Sequence, residues 1–229
     1  TSSSPAHASD ATSNVFPPEL TYPTVNGPSL ALWGSSSFEG AQAEQGVPAG
    51  FNATIEALLH TNAVLYILDP KNSDLADLGT VMPNVYHTKE EMIDCVNAFY
   101  EGMVQRSEEM KRHPNYKTGE NYAYLGLPPC FLIFDEYVAF FEMLGTKESV
   151  GLLSQLKKIV MLGRQAGYFL IVACQRPDAK YFGDGIRDNF NFRVGLGRMS
   201  ELGYGMLFGS DVKKQFFQKR IKGRGYCDV

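Results

Sequence analysis

Uninterrupted apolar runs constrain the fold of this 229-residue chain more than any other feature. Three lie at residues 63–68, 130–134 and 168–174, and a fourth strand is predicted at 192–196. A strand that is apolar at every position is covered on both faces, as strands inside a parallel sheet are. The runs alternate with helical patterns, which is typical of right-handed βαβ units. The sequence therefore predicts a three-layer α/β domain with a mostly parallel sheet.

Two long amphipathic helices are predicted between these strands. Thr88 and Glu91 have the spacing of a capping box, which opens a helix that ends before Pro114. A second long helix follows the strand at 130–134 and ends at a pair of glycines, Gly163 and Gly167. Its predicted apolar stripe comprises Val150, Leu153, Leu156 and Val160, with Lys157 and Lys158 off the stripe.

Residues 1–50 differ in composition from the rest of the chain. They are rich in Ser, Ala, Pro and Gly and lack an apolar period, so they are predicted to form an irregular segment or linker. One short run, residues 30–34, has the pattern of a strand that ends at a turn. We therefore divide the chain into an irregular segment at residues 1–50 and a globular domain at 51–229.

Cysteine spacing and hydropathy narrow the class of protein. The four cysteines lie far apart with no CxxC pair, which argues against a zinc site or a disulfide framework. No apolar run approaches the ~20 residues that span a membrane. The first residues also lack the charged and apolar regions of a signal peptide. A reducing, cytoplasmic compartment is expected, with no membrane anchor in this chain.

Polar residues follow three of the predicted strands, and the carboxyl ends of parallel strands form the ligand-binding edge of such sheets. Asp69 and Lys71 follow the first strand, the pair Asp135-Glu136 follows the second, and Gln175 follows the third. An apolar strand that ends in Asp-Glu has the form of a Walker B motif. In that motif the aspartate holds Mg²⁺ through water and the glutamate polarises the attacking water. The alternative interpretation is a solvated acidic turn.

Several segments together resemble the FtsK/SpoIIIE family in order and spacing, most closely the branch carried by conjugative transposons of Gram-positive bacteria. They are Asp69 to Leu75, Phe134 to Tyr137, Gly163 to Gly167, Ala173 to Pro177, Ile186 to Phe190 and Gly197 to Glu201. The resemblance covers about residues 53–229. It implies a RecA-like P-loop NTPase core that assembles as a ring hexamer and moves double-stranded DNA, with ATP and Mg²⁺ as cofactors.

The same resemblance implies roles for individual residues. Asp135 corresponds to the Walker B magnesium ligand, Glu136 to the catalytic glutamate and Gln175 to the sensor of the γ-phosphate. Asp69 and Lys71 are weaker candidates for cofactor binding. The candidates for an arginine finger that reaches a neighbouring subunit are Arg187, Arg193 and Arg198, and the choice among them stays open.

One element of the family pattern is missing. The family places GxxxxGK[S/T] between its first strand and the next helix, whereas residues 34–51 contain no lysine, and residues 1–70 contain neither Lys nor Arg. Glu39 and Glu44 in this stretch would repel a triphosphate. We therefore predict that residues 1–50 are not homologous to the motor. A frameshift, a chimeric gene and decay of a mobile element are all open explanations.

Two function hypotheses follow. The first is an ATP-driven DNA translocase of a conjugative or segregation system, inactive as this chain, whose partners are double-stranded DNA, further copies of itself, and a relaxase and membrane channel proteins. The full-length protein would then work at the inner face of the membrane. The second hypothesis is a non-catalytic ring subunit, scaffold or degenerate fragment with the same fold. A general DNA-binding module is less favoured, because the chain has no helix-turn-helix pattern.

Overall fold

The computed structural model describes residues 30–34, 46–73, 75–174, 180–182, 184–190, 192–196, 200–209 and 225–228. The strands are β1 (Leu30–Gly34), β2 (Val64–Leu68), β3 (Val85–Tyr86), β4 (Cys130–Phe134), β5 (Tyr168–Cys174), β6 (Phe192–Leu196) and β7 (Gly225–Asp228). The α-helices are α1 (Gly46–Leu59), α2 (Lys89–Arg112), α3 (Tyr137–Glu142), α4 (Thr146–Ala166), α5 (Asp184–Arg187) and α6 (Glu201–Phe208). Short 3₁₀ helices lie at Ala76–Thr80 and Tyr122–Leu125.

The described strands form one sheet in the order β3-β2-β4-β5-β1-β6-β7. All neighbouring pairs are parallel except β6 and β7, which are antiparallel. The connection from β1 to β2 crosses the sheet in the opposite direction to those that contain α2 and α4. Because such crossovers are right-handed, α1 lies on one face of the sheet and α2 and α4 on the other. The predicted three-layer α/β fold is confirmed.

The core is built around the central strands. Every residue of β4 and β5 is buried, as the continuous apolar runs predicted. Phe131 and Phe169 stack across these two strands with ring centroids 5.2 Å apart. The cysteines are free thiols, and Cys227 is the exposed one among the four. The fully apolar runs therefore predicted the strands whose two faces are both covered.

The predicted cap of α2 is confirmed. Thr88 is the N-cap, and its hydroxyl accepts a hydrogen bond from the backbone N–H of Glu91. The helix ends at Arg112, two residues before Pro114. This cap fixes the start of α2 close to the carboxyl edge of the sheet, where β3 ends.

The predicted apolar stripe of the second long helix is partly wrong. Val150 is 65% exposed, and the residues of α4 that face the core include Leu152, Leu156, Ile159 and Val160. The difference arises because the segment after β4 is not one helix: α3 ends at Glu142 and α4 begins at Thr146. Along α4 the residues that face the core follow the helical period through Leu152, Leu156 and Ile159, and Val150 lies on the opposite side of the helix.

Parts of residues 1–50 depart from the irregular structure predicted for them. The strand pattern of residues 30–34 is confirmed, since Leu30–Gly34 forms β1. The departure is that β1 lies in the middle of the sheet, between β5 and β6, and that α1 already begins at Gly46. Without a strand in this place, the facing edges of β5 and β6 would leave backbone N–H and C=O groups unpaired inside the domain. The division of the chain at residue 50 stays a prediction, and residues 1–29 and 35–45 lie outside the described part.

Candidate functional site at the carboxyl edge of the sheet

Asp69, directly after β2, organises the first loop of the site. Its side chain is fully buried, and one oxygen, Oδ2, accepts hydrogen bonds from the backbone N–H of Ser73 at 2.7 Å and of Ala76 at 3.1 Å. The other oxygen, Oδ1, accepts from the backbone N–H of Lys71 at 3.1 Å. A buried carboxylate needs such donors to offset its lost hydration. Asp69 therefore folds the loop after β2 and is occupied by that loop.

Ser73 links this loop to Asp135 on the neighbouring strand. Its hydroxyl donates to Oδ2 of Asp69 at 3.0 Å and lies 3.5 Å from Oδ2 of Asp135. The backbone N–H of Asp135 donates to the carbonyl of Leu68, which continues the pairing of β4 with β2 beyond the strands. The parallel register thus brings the two aspartates to the same edge of the sheet, as the sequence predicted.

Three carboxylates lie close together at this edge, and the pKa of Asp135 reflects this. The pKa of Asp135 is raised from 3.8 to about 6, first by burial and then by the charges of Asp69 and Glu136, against the smaller opposing effects of Lys71 and Ser73. An acid with this excess of negative charge around it is stabilised in its ionised form by a bound cation. Asp135 therefore fits the role of a magnesium ligand.

Glu136 has an unusual backbone conformation. It is the N-cap of α3 and lies in the left-handed region, with φ 58° and ψ 58°. The other non-glycine residues with positive φ in the described part are Asn72 and Asn84, and asparagine tolerates this region far better than glutamate. A strained residue of this kind is held by its surroundings, and such residues cluster at functional sites.

The side chain of Glu136 is paired with Lys71. The distance from Nζ of Lys71 to Oε1 of Glu136 is 3.4 Å, and the glutamate side chain is 15% exposed. Glu136 also adds to the effect of burial in raising the pKa of the Cys174 thiol, at the end of β5. The carboxylate thus lies between the ends of β2 and β5, where a reacting group could approach it.

The other predicted site residues are only partly placed. Gln175 and Arg198 lie outside the described residues, although Cys174 shows where the strand before Gln175 ends. Nε of Arg187 lies 3.0 Å from Oδ1 of its neighbour Asp188. Arg193, on β6, donates from Nη1 to the carbonyl of Leu207 at 3.3 Å, which ties it to α6 of its own chain. The assignment of an arginine finger stays a prediction.

Ser73 and the conformation of Glu136 are features that sequence reasoning missed. Ser73 lies within the segment that resembles the family, but its residue type alone gave it no role. An aspartate followed four residues later by a serine after a buried strand is a usable signal, because Asp and Ser side chains commonly organise tight turns. The conformation of Glu136 has no sequence signal of its own, since glutamate is not a left-handed residue type.

The phosphate-binding side of the site fits a nucleotide poorly. The connection from β1 to α1 starts at the carboxyl edge of the sheet next to β5, which is the place of a phosphate loop in such a fold, and residues 35–45 within it lie outside the described part. This connection carries no Lys or Arg. Within the described residues no group of three or more His, Cys, Asp and Glu side chains is arranged to hold a metal. Asp135 thus offers one candidate ligand, while residues 35–45 carry no ammonium to neutralise phosphates.

Among the described residues, no helix has both the length and the apolar character needed to cross a bilayer.

Comparison of the sequence with known proteins gives a clear relative. No family model matches the sequence. The chain is 57% identical over 176 residues to the FtsK domain-containing protein YdcQ of Bacillus subtilis strain 168, a match that covers 76% of this chain and 36% of YdcQ. The chain thus spans about a third of the length of this curated relative.

Solved structures share the fold at low sequence identity. The pCW3 conjugation coupling protein TcpA, solved as a monomer with ATPγS, gives a TM-score of 0.68 at 16% identity and covers 90% of this chain and 58% of its own. EssC from Geobacillus thermodenitrificans, in its ATPases 2 and 3, gives a TM-score of 0.59 at 16% identity and covers 89% and 37%. At these identities the likeness establishes the fold, and the close relative establishes the family. The chain belongs to the family of FtsK domain-containing proteins.

Proposed function

We propose that this chain is the motor part of an ATP-driven translocase of double-stranded DNA, of the kind used in conjugative transfer or DNA segregation. The observation that supports this most is the Asp135-Glu136 pair at the end of β4, with Glu136 strained and paired with Lys71. A solvated acidic turn would not bury these groups or raise the pKa of Asp135 to about 6. Strain and raised pKa values are characteristic of catalytic sites.

Each residue of the site has a defined task in this proposal. Asp135 would help to hold Mg²⁺, and Ser73, whose hydroxyl lies 3.5 Å from Oδ2 of Asp135, would orient that carboxylate. Glu136 would orient and polarise the attacking water, and Lys71 pairs with its carboxylate at 3.4 Å. Mg²⁺, when bound, neutralises phosphate charge. Gln175, one residue beyond β5, is proposed to sense the γ-phosphate from the next strand.

The relatives support the partners in this proposal. TcpA is a conjugation coupling protein that was solved with ATPγS, and EssC contains several ATPase units. By analogy, we propose that the complete protein binds ATP and duplex DNA, assembles with further copies of itself and works beside a membrane. A relaxase and channel proteins are the partners that conjugative transfer would require.

The chain is proposed to hydrolyse ATP negligibly, despite its acidic pair. Phosphoryl transfer depends mainly on positioning and on neutralisation of charge. The ammonium of a phosphate loop, at about 4 Å from a phosphate, supplies several kcal/mol at an intermediate dielectric. No Lys or Arg precedes Lys71, and Lys71 is paired with Glu136. This lack is the observation that favours the second candidate, a non-catalytic subunit with the motor fold.

The test compares this chain with a version whose connection from β1 to α1 carries GxxxxGK[S/T]. We expect weak ATP binding and negligible turnover from the chain itself, and Mg²⁺-dependent, DNA-stimulated turnover from the restored version. In the restored version, Glu136→Gln should abolish hydrolysis and retain ATP binding. The control Asp77→Asn, a change of an exposed acid elsewhere, should leave both hydrolysis and ATP binding unchanged. Rapid turnover by the unaltered chain would contradict the proposed inactivity. A restored version that binds ATP without turnover would favour the non-catalytic subunit.

A further inference from the structure

The residues on either side of the acidic pair carry aromatic rings that contact each other. Phe134 ends β4 and Tyr137 begins α3; both are fully buried, and their ring centroids lie 5.3 Å apart at an interplanar angle of 80°. In an extended strand, residues three positions apart point to opposite faces and lie about 10 Å apart. The chain must therefore turn sharply between the two rings, and Asp135 and Glu136 form this turn.

The change of direction is concentrated in Glu136. The backbone N–H of Asp135 still donates to the carbonyl of Leu68, as a residue of the strand would. The carbonyl of Glu136 already accepts from the backbone N–H of Phe140, as the first carbonyl of a helix would. The transition from strand to helix thus takes place at one residue, and that residue has φ 58° and ψ 58°.

A second segment of the chain packs on Tyr137. The ring centroid of Phe182 lies 4.6 Å from that of Tyr137, and the ring of Tyr181 stacks on Phe141 of α3 at 5.1 Å. The hydroxyl of Tyr137 donates to the backbone carbonyl of Tyr181 at 3.4 Å. Burial raises the pKa of Tyr137 far above its usual value, which keeps this hydroxyl protonated. Residues 181 and 182 follow Gln175 by six and seven positions, so Tyr137 contacts the segment that continues from the predicted sensor.

We propose that Tyr137 is a positioning residue for Glu136. Its ring, packed between Phe134 and Phe182, holds the turn in the left-handed conformation. Its hydroxyl couples the turn to the segment that follows Gln175. The left-handed conformation is unfavourable for every residue type except glycine, so the surroundings must impose it, and the buried rings are the rigid part of those surroundings.

The ion pair with Lys71 is the other contact of Glu136 that could set this conformation. The lysine side chain is 44% exposed, and an exposed pair at 3.4 Å constrains a backbone less than buried rings do. The two explanations separate in variants without the glutamate side chain, because the rings remain and the ion pair does not. The effect of the turn on catalysis rests on the proposed function, whereas the packing that holds the turn does not.

The test measures how strongly position 136 prefers glycine to alanine. Glu136→Gly and Glu136→Ala are compared by urea denaturation of the full chain, with and without a change at Tyr137. Without that change, the equilibrium constant of unfolding should be about fivefold lower with glycine, which adopts the left-handed conformation freely. With Tyr137→Leu the ratio should fall to about one or reverse, because the turn can then relax and alanine is the better residue in a right-handed helix. Tyr137→Phe keeps the ring and should keep the ratio.

A matched control removes a buried ring from the other end of the same strand. Phe131→Leu should lower the stability of the glycine and alanine variants equally and leave the ratio unchanged. If Tyr137→Leu does not fold, Phe182→Leu takes its place, because it removes the ring that packs on Tyr137 from the second segment. With Phe182→Leu the ratio should fall to about twofold or less.

Hydrogen exchange measures the coupling through the hydroxyl. Tyr137→Phe removes the hydrogen bond to the carbonyl of Tyr181 and leaves the ring in place. The amides of residues 180–182 should then exchange about threefold faster or more, because one buried hydrogen bond no longer opposes local opening. The amides of α2 should exchange at an unchanged rate.

Four outcomes would overturn the proposal. The first is no preference for glycine at position 136 in the original chain. The second is a ratio that stays at its original value with Tyr137→Leu, or with Phe182→Leu where that variant replaces it. The third is an equal fall of the ratio with Phe131→Leu, which would indicate general loosening of the domain. The fourth is unchanged exchange of residues 180–182 in Tyr137→Phe.

The effect on catalysis is tested in the version that carries GxxxxGK[S/T]. There, Tyr137→Phe should lower turnover with ATP binding unchanged, because the turn and the segment after Gln175 are no longer coupled. If this version shows no turnover even with Tyr137 in place, the proposed function fails, while the denaturation and exchange results still decide the role of Tyr137.

Discussion

Asp69 and Asp135, which end two adjacent strands, share one hydroxyl. Oγ of Ser73 lies 3.0 Å from Oδ2 of Asp69 and 3.5 Å from Oδ2 of Asp135. The two aspartates differ in their surroundings, because Asp69 is satisfied by backbone donors of its own loop, whereas Asp135 faces two other carboxylates. One aspartate therefore builds the site, and the other is available to a ligand.

Asp69→Asn should destabilise the domain strongly. In the folded protein Oδ2 accepts from the backbone N–H groups of Ser73 and Ala76, and Oδ1 accepts from the backbone N–H of Lys71. An asparagine side chain has one oxygen and one NH₂ group, so its NH₂ group would face at least one of these donors. Hydrogen bonds to charged groups contribute about 1.5–3 kcal/mol each, so a loss of about 3 kcal/mol in the free energy of unfolding is expected. Urea denaturation measures this loss. The exposed Asp77→Asn should change stability by less than about 0.5 kcal/mol, and an equal loss in both variants would contradict the described loop.

Asp135→Asn should have the opposite effect on stability in a metal-free buffer. The folded-state pKa of Asp135 is raised from 3.8 to about 6, chiefly by burial. Ionisation of this acid therefore opposes folding fully above pH 6, and the effect disappears below pH 4. A pKa difference of about two units corresponds to about 3 kcal/mol, and partial exposure reduces this to about 1–3 kcal/mol.

The measurement is the free energy of unfolding of both proteins at pH 8 and pH 4.5 with EDTA present. The variant should be the more stable protein at pH 8, and the advantage should shrink toward pH 4.5. A variant that is less stable at pH 8 would contradict this prediction, because it would show that the ionised Asp135 carboxylate increases the free energy of unfolding. Added Mg²⁺ should stabilise the original protein more than the variant, because binding to the folded state adds to stability.

Replacement by alanine should have opposite effects on stability at two glycines, Gly167 at the C-cap of α4 and Gly151 within the helix. Gly167 is the C-cap, with φ 77°, and a Cβ there would lie 2.5 Å from Cγ of Tyr122. Gly167→Ala should cost about 2 kcal/mol or more, from the left-handed backbone together with the overlap. Gly151 lies in the same helix with open space around it, so Gly151→Ala should stabilise by about 0.5–1 kcal/mol. Thermal unfolding of the two variants separates these effects, and a harmless Gly167→Ala would contradict the packing of Tyr122 on this turn.

Sequence reasoning predicted the fold from β2, β4, β5 and β6, because continuous apolar runs are strong signals for buried parallel strands. It predicted the shared edge of Asp69 and Asp135 for the same reason, since parallel strands end together. It recognised the strand pattern of residues 30–34, which β1 confirms, but it left this strand outside the globular domain, because its pairing with β5 and β6 is a long-range contact. It also gave no role to Ser73, because that role depends on the distance between two strand ends.

The last prediction concerns the backbone of Glu136. Left-handed geometry costs an L-residue roughly 1–2 kcal/mol, and glycine adopts it freely. Glu136→Gly and Glu136→Ala both remove the ion pair with Lys71, so they differ mainly in this backbone term. The greater conformational entropy of glycine in the unfolded chain lowers the stability of the Glu136→Gly variant and offsets part of this gain. The Glu136→Gly variant should still be more stable than the Glu136→Ala variant by about 1 kcal/mol.

Met143, the C-cap of α3, provides the matched control, because its φ of −74° lies in the ordinary right-handed region. There, glycine should be less stable than alanine by about 0.5–1 kcal/mol. Chemical denaturation of the four variants gives both differences. If glycine were the weaker residue at position 136 as well, Glu136 would not be in the left-handed region. If the two positions differ as expected, position 136 carries backbone strain that glycine would remove. The protein then keeps a strained glutamate at the position where a carboxylate beside Asp135 serves the proposed chemistry.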